Sequence, residues 1–285
     1  MNGFGSFGQY VPFNTPIHRM DTRVKLFLLV VFMVAIFLPY GNRVDVIYPY
    51  AMSLVVLGGI FVLLMIGLMF QFSDHVMYPG FNEPGIRGTY NQAQGYFDSI
   101  RSLAKKYEGR IKIYLGYEAE AFDYYMPYLK VLLQTGTLDY LLLGNHGAMN
   151  SLRQVYAHFG KGTTANTLYI YKEVACKALR SGLYSCFVHP DLFLSEVETF
   201  DSDCRKISTE IIETAMECDV PLEINVGGIR SGKKKIGEEY RWSYPTTSFF
   251  SIASEMGAKC IIGIDAHSPK QLSDEAANSK ATLFA

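Results

Sequence analysis

The sequence predicts an α/β chain in two unlike parts: a two-helix transmembrane hairpin, then a domain in which strands and helices alternate. Three observations predict it. Two long apolar stretches fill residues 24–70, and from residue 110 short apolar runs alternate with longer amphipathic ones. Carboxylates and histidines also recur where the short apolar runs end.

Average composition conceals this division. The 285 residues carry a net charge of −1 and are 49% hydrophobic. Residues 1–70 hold only four of the 26 basic residues (Arg19, Arg23, Lys25, Arg43) and two of the 27 acidic ones (Asp21, Asp45). The boundary is therefore drawn at residue 70, with residues 71–285 forming the second domain. A near-neutral balance with no basic stripe argues against nucleic acid as a partner. The five cysteines (Cys176, Cys186, Cys204, Cys218, Cys260) include no CxxC pair. They fit reduced thiols packed in a cytoplasmic domain rather than a zinc ribbon.

The first apolar stretch, residues 24–38, is interrupted only by Lys25 and stops at Pro39; the second, residues 51–70, has no charged residue. Twenty residues is the length a helix needs to cross the hydrocarbon core. The 23 residues ahead of the first stretch, and the lack of a small-residue cleavage site after it, count against a signal peptide. Arg19, Arg23 and Lys25 crowd the entry to the first span, whereas the connecting loop carries only Arg43. The positive-inside rule then places the N-terminus in the cytoplasm. Two crossings return the chain there, so the second domain would be tethered to the inner face of the cell membrane. Residues 7–12 (Phe-Gly-Gln-Tyr-Val-Pro) and 17–25, from Ile17 to Lys25, resemble the opening of the transmembrane T component of energy-coupling-factor vitamin transporters. That family usually has Pro where Thr22 stands, and its later helices have no counterpart in this chain. The resemblance implies an alternative role as a membrane component or scaffold of a vitamin-uptake system.

In the second domain, strands are predicted at residues 111–117, 140–144, 184–188, 222–226 and 260–264, with a further candidate at 68–72. Helices are predicted at 90–107, 123–135, 165–181, 201–218 and 246–256. Asp201 and Ser202 suit the start of the fourth helix. Gly136, Gly182 and Gly257 fall where helix C-caps are expected.

Glu118 and Glu120 follow the first strand, His146 the second and His189 the third; Glu223 and Asn225 lie in the fourth, and Asp265 and His267 follow the fifth. His75 follows the additional candidate. In a (β/α) barrel such strand ends converge on one face, where active sites are built. Imidazole and carboxylate together suit Zn, Mn or Fe(II) rather than Ca. Asp265-Ala266-His267 offers a carboxylate and an imidazole two residues apart, a compact pair for neighbouring metals. Clustered metals neutralise a phosphate ester and activate water, so the implied chemistry is metal-assisted phosphoester hydrolysis.

The strings Phe72-Ser73-Asp74-His75, Gly116-Tyr117-Glu118-Ala119-Glu120, Leu143-Gly144-Asn145-His146, His189-Pro190-Asp191-Leu192-Phe193, Leu222-Glu223-Ile224-Asn225 and Gly263-Ile264-Asp265-Ala266-His267-Ser268 occur in the order of the polymerase-and-histidinol-phosphatase (PHP) family. With Tyr244-Pro245-Thr246-Thr247 they resemble its histidinol-phosphatase branch over residues 65–285. The resemblance implies a distorted (β/α)7 barrel holding two to three divalent metals and hydrolysing L-histidinol phosphate in histidine biosynthesis. Carried over by motif, the ligands are His75, Glu118, His146, His189, Asp265 and His267, with Asp265 and His267 also catalytic. The family's first strand carries a His-x-His motif, and this chain has none. The resemblance therefore implies an incomplete barrel, open at one seam, with at least one metal position impaired. An inactive metal-binding remnant is the corresponding alternative.

Gly227-Gly228-Ile229-Arg230-Ser231-Gly232-Lys233-Lys234 approaches a P-loop, but Lys234 stands where Ser or Thr must hold Mg²⁺. Nucleotide binding is not expected. Arg230, or a neighbouring lysine, and Arg87 are the candidates for the substrate phosphate, the alternative being a solvated basic loop. Glu120 is a candidate for orienting a ligand. His158 is expected on a loop surface, and Trp242 in the core.

Overall fold

The computed structural model describes residues 77–80, 90–108 and 112–285. The expected hairpin at 24–70, the strand at 68–72, His75 and Arg87 lie outside these residues. Among the described residues, no helix is long and apolar enough to cross a membrane.

Five parallel strands form the main sheet in sequential order: β1 (Gly116–Ala119), β2 (Tyr140–Leu143), β5 (Cys186–Phe187), β6 (Leu222–Asn225) and β9 (Cys260–Gly263). Helices supply the crossovers. α1 (Ala93–Lys106) precedes β1, α2 (Met126–Gln134) joins β1 to β2, and α3 (Ala165–Arg180) leads into β5. α4 (Ser202–Glu217) joins β5 to β6, and α6 (Thr247–Met256) leads into β9. Neighbours in sequence are neighbours in the sheet, so every strand's C-terminal end lies on the same side. Two antiparallel hairpins interrupt the alternation: β3 (Gly147–Met149) with β4 (Val155–His158), and β7 (Lys234–Ile236) with β8 (Glu239–Arg241). A short helix α5 (Val226–Arg230) follows β6 directly, and α7 (Pro269–Leu272) and α8 (Glu275–Phe284) close the chain.

Local chemistry accounts for the boundaries. α3 opens on a capping box in which the Thr167 amide donates to Thr164 Oγ1 (3.2 Å) and the Thr164 amide donates to Thr167 Oγ1 (2.8 Å). Asp201 caps α4 by accepting from the Cys204 amide at 2.8 Å. α4 turns Cys204, Ile207, Ser208, Ile211, Ile212 and Ala215 inward at helical spacing, and α3 packs against it. Gly136, Gly182 and Gly257, at the ends of α2, α3 and α6, all have positive φ. The first strand begins later than the expected residue 111. Leu115 is instead tied to the turn before β2: its amide donates to Asp139 Oδ2 (2.6 Å) and its carbonyl accepts from the Asp139 amide (2.7 Å). Upstream of that point β2 offers no ladder partner.

The sheet is unevenly covered. β6 is buried at all four positions, and Leu141, Leu143, Phe187, Leu222 and Ile224 form its core. β9, the edge strand beside it, leaves Ile261 45% and Ile262 41% exposed. Parallel sheets are ordinarily covered on both faces. Among the described residues the sheet therefore stays open at β9.

Candidate metal centre

The C-terminal ends of β1, β2 and β5 bring three ligand-type side chains together. Glu118 lies within β1, His146 stands between β2 and β3, and His189 follows β5. One donor atom from each lies within 4.8 Å of the others. Glu118 Oε1 sits between the rings, 3.1 Å from His189 Nε2 and 3.3 Å from His146 Nε2. Glu120, fully buried, approaches the other nitrogen of His146 at 3.3 Å. Space for this arrangement depends on Gly144. A Cβ there would fall 2.6 Å from Glu118 Oε1 and 2.8 Å from His146 Cε1.

Two further buried acids, Glu223 and Asp191, lie close to His189. Glu223 is 6% exposed and Asp191 is fully buried. Glu223 Oε2 accepts from the His189 amide (3.0 Å) and from Asn225 Nδ2 (2.9 Å). Asp191 Oδ2 accepts from the Thr246 amide at 2.5 Å. Burial raises both carboxyls to about 6. For His189, burial alone favours the neutral ring. The Glu118 hydrogen bond and charge, with Glu223 and Asp265 behind them, outweigh it and raise the pKa to about 9.

Asp265 follows β9 with a φ of 47°, and its backbone carbonyl lies 3.1 Å from His267 Nδ1. Its carboxylate Oδ1 is 3.6 Å from the same nitrogen. Arg230, a candidate for phosphate, donates Nη1 to the Ile264 carbonyl at 2.7 Å and Nη2 to the Asp265 carbonyl. Tyr244 packs its ring 5.6 Å from that of His189. His158 is exposed at the end of β4, and Trp242 is partly buried against the core. A separate cavity of about 710 Å³ beside α3, bordered by Asp123, Tyr156, Lys177 and Arg180, includes none of the ligand-type residues.

The donor set fits a divalent cation. Two imidazoles and a carboxylate converge, and His189 Nδ1 is buried without a hydrogen-bond partner among the described residues. Sequence reasoning did not select Asp191 or assign Glu223 a role. The signal for Glu223 was a carboxylate inside the apolar strand Leu222–Asn225, where burial demands partners.

With this geometry in hand, the solved structures most informative for comparison are two. One is a Listeria monocytogenes protein with the provisional name histidinol phosphatase: TM-score 0.53, 13% identity, covering 73% of this chain and 88% of that one. The other is histidinol phosphate phosphatase of Lactococcus lactis, determined with zinc, L-histidinol and phosphate: TM-score 0.51, 16% identity, 75% and 78% covered. The chain has their fold. In sequence it is 24% identical over 206 residues to a Deinococcus radiodurans protein named a probable histidinol-phosphatase, covering 70% of this chain and 75% of the relative. No protein-family model matches the chain.

Proposed function

We propose that the chain is a metal-dependent phosphomonoester hydrolase acting on L-histidinol phosphate, releasing L-histidinol and phosphate. The observation that carries this reading is the convergence of Glu118, His146 and His189 at the ends of three successive parallel strands. Likeness to proteins named for the same activity, one of them holding zinc, L-histidinol and phosphate, supports the substrate class.

In this reading Glu118, His146 and His189 hold one divalent ion, and Asp265, His267 and His75 contribute to one or two more, with Zn, Mn and Fe the fitting elements. Bound metal supplies an acidified water and charge compensation for the phosphate. The water oxygen bonds to phosphorus, the ester P–O bond breaks, and the proton lost by water ends on the departing hydroxyl. Asp265 and His267 are the groups we assign to the reacting centre. Arg230 has three N–H donors beyond its two carbonyl bonds, enough for a phosphate oxygen. Arg87 is the second phosphate candidate.

We divide the chain at residue 70 and place residues 71–285 on the cytoplasmic side of a membrane hairpin at 24–70. The charge-free stretch 51–70 supports this. Membrane fractionation before and after removal of residues 1–70 tests it, and an unchanged distribution refutes it.

Two observations favour a second reading. The absent His-x-His and the exposed β9 edge suit a member whose turnover is impaired. Phosphate release from L-histidinol phosphate by the full chain, with Mn²⁺ or Zn²⁺ and then after chelation, separates the two. Metal-dependent release is expected; metal binding without turnover would establish the inactive remnant instead.

A further inference from the structure

Two of the ligand-type residues have backbones in the left-handed region, His189 at φ 35° and Asp265 at φ 47°. Neither is glycine, so each conformation is strained and persists only when its surroundings hold it. Both are held by the same short stretch of chain. Glu223 Oε2, in β6, accepts the His189 amide at 3.0 Å. Asn225 Nδ2 donates to the same oxygen at 2.9 Å, while Asn225 Oδ1 caps α5 by accepting the Gly228 amide at 3.0 Å. At the other end of α5, Arg230 grips the carbonyls of Ile264 and Asp265. A continuous series of bonds thus runs from the His189 turn, through β6 and α5, to the Asp265 loop.

The glycines fit this series. A Cβ on Gly227 would lie 2.3 Å from Asp265 Oδ2 and 2.8 Å from Asn225 Oδ1. One on Gly263 would lie 1.7 Å from Glu223 Oε1. Gly227, in the P-loop-like string Gly227–Lys234, therefore has a reason that involves no nucleotide, since α5 presses against the Asp265 carboxylate there; Gly228 is required instead against Tyr244.

We propose that β6 and α5 act as a clamp, with Glu223 and Arg230 as positioning residues that set His189 and Asp265 for metal binding. The proposal rests on the metal-phosphatase reading above. Its test is the zinc affinity of the full chain, measured without substrate by competition with a chromophoric chelator. Arg230→Lys cannot fork to two carbonyls, and Gly227→Ala displaces the Asp265 carboxylate. Each is expected to weaken zinc binding by roughly 10- to 100-fold, the usual effect of losing a ligand's supporting partner. Glu223→Ala is expected to do the same, and Glu223→Gln to restore affinity to within a few-fold, because its amide oxygen still accepts the His189 amide. If Glu223→Ala fails to fold, the other three variants decide. Wild-type affinity in Arg230→Lys and Gly227→Ala overturns the clamp and leaves the metal reading standing; a rise in KM alone for Arg230→Lys would make that residue a phosphate contact only. Absence of zinc binding by the wild type would overturn the metal reading itself.

Discussion

Glu118→Gln changes one atom and removes one negative charge from between two imidazoles. The Oε1 atom is 3.1 Å from His189 and 3.3 Å from His146, so loss of the carboxylate charge weakens the trio at its centre even though the amide keeps one oxygen. Loss of an outer supporting partner costs a metal site about 10- to 100-fold in affinity. Loss of a charged ligand should reach at least the upper end, on the order of 100-fold. At a free zinc concentration 100 times the wild-type dissociation constant, binding stabilises the wild type by about 2.7 kcal/mol. A variant binding 100-fold more weakly is then half-saturated and gains only about 0.4 kcal/mol. Thermal unfolding with zinc and after chelation reads this directly: a clear zinc-induced rise in Tm for the wild type, nearly abolished in Glu118→Gln. The metal-free melting points should differ far less, since without metal the Glu118 carboxylate acts through its contacts with His189 and His146 rather than on a divalent ion. An equal zinc-induced shift in both proteins would refute the placement of metal at this trio.

Other consequences are independent of the metal. The Asp139 carboxylate accepts from the Leu115 amide and is forked by Arg101 at 3.0 Å on each oxygen. Burial pushes its pKa up, but these hydrogen bonds prevail and leave it below the usual 3.8. A depressed pKa contributes stability that is present above the unfolded value and lost as pH falls through the folded one. Asp139→Asn should therefore cost about 1–2 kcal/mol at neutral pH, with the gap to wild type closing below pH 3.8; urea titrations across pH check this, and a gap constant with pH would contradict it. Thr164→Ala removes the capping box of α3 and should cost about 1 kcal/mol, or roughly 2–4 °C in Tm. No change in the melting curve would mean that α3 is held by packing on α4 alone.

Much of this arrangement was legible in the sequence, for identifiable reasons. The alternation of apolar runs located the five parallel strands because buried parallel strands must be nearly continuous in apolar residues. Asp201 and the glycines at 136, 182 and 257 marked helix ends because capping is local chemistry. Glu118, His146 and His189 stood out as ligand-type residues at strand ends. The two hairpins were not legible: β3, β4, β7 and β8 are three or four residues each, with little apolar periodicity. Nor was the part played by Arg230 and the Gly227-Gly228 pair. Their partners, Asp265 and Tyr244, are distant in sequence, and only the folded chain brings α5 against them. The start of β1 was misjudged because residues 112–115 are strand-like in composition yet have no strand beside them among the described residues.

Anomalous scattering at the zinc edge from crystals of the zinc-loaded protein tests the central claim most directly. The account expects a peak bonded to Glu118, His146 and His189, at about 2.0–2.2 Å from the nitrogen and oxygen donors. Density confined to other residues, or no peak at this trio under saturating zinc, would contradict it.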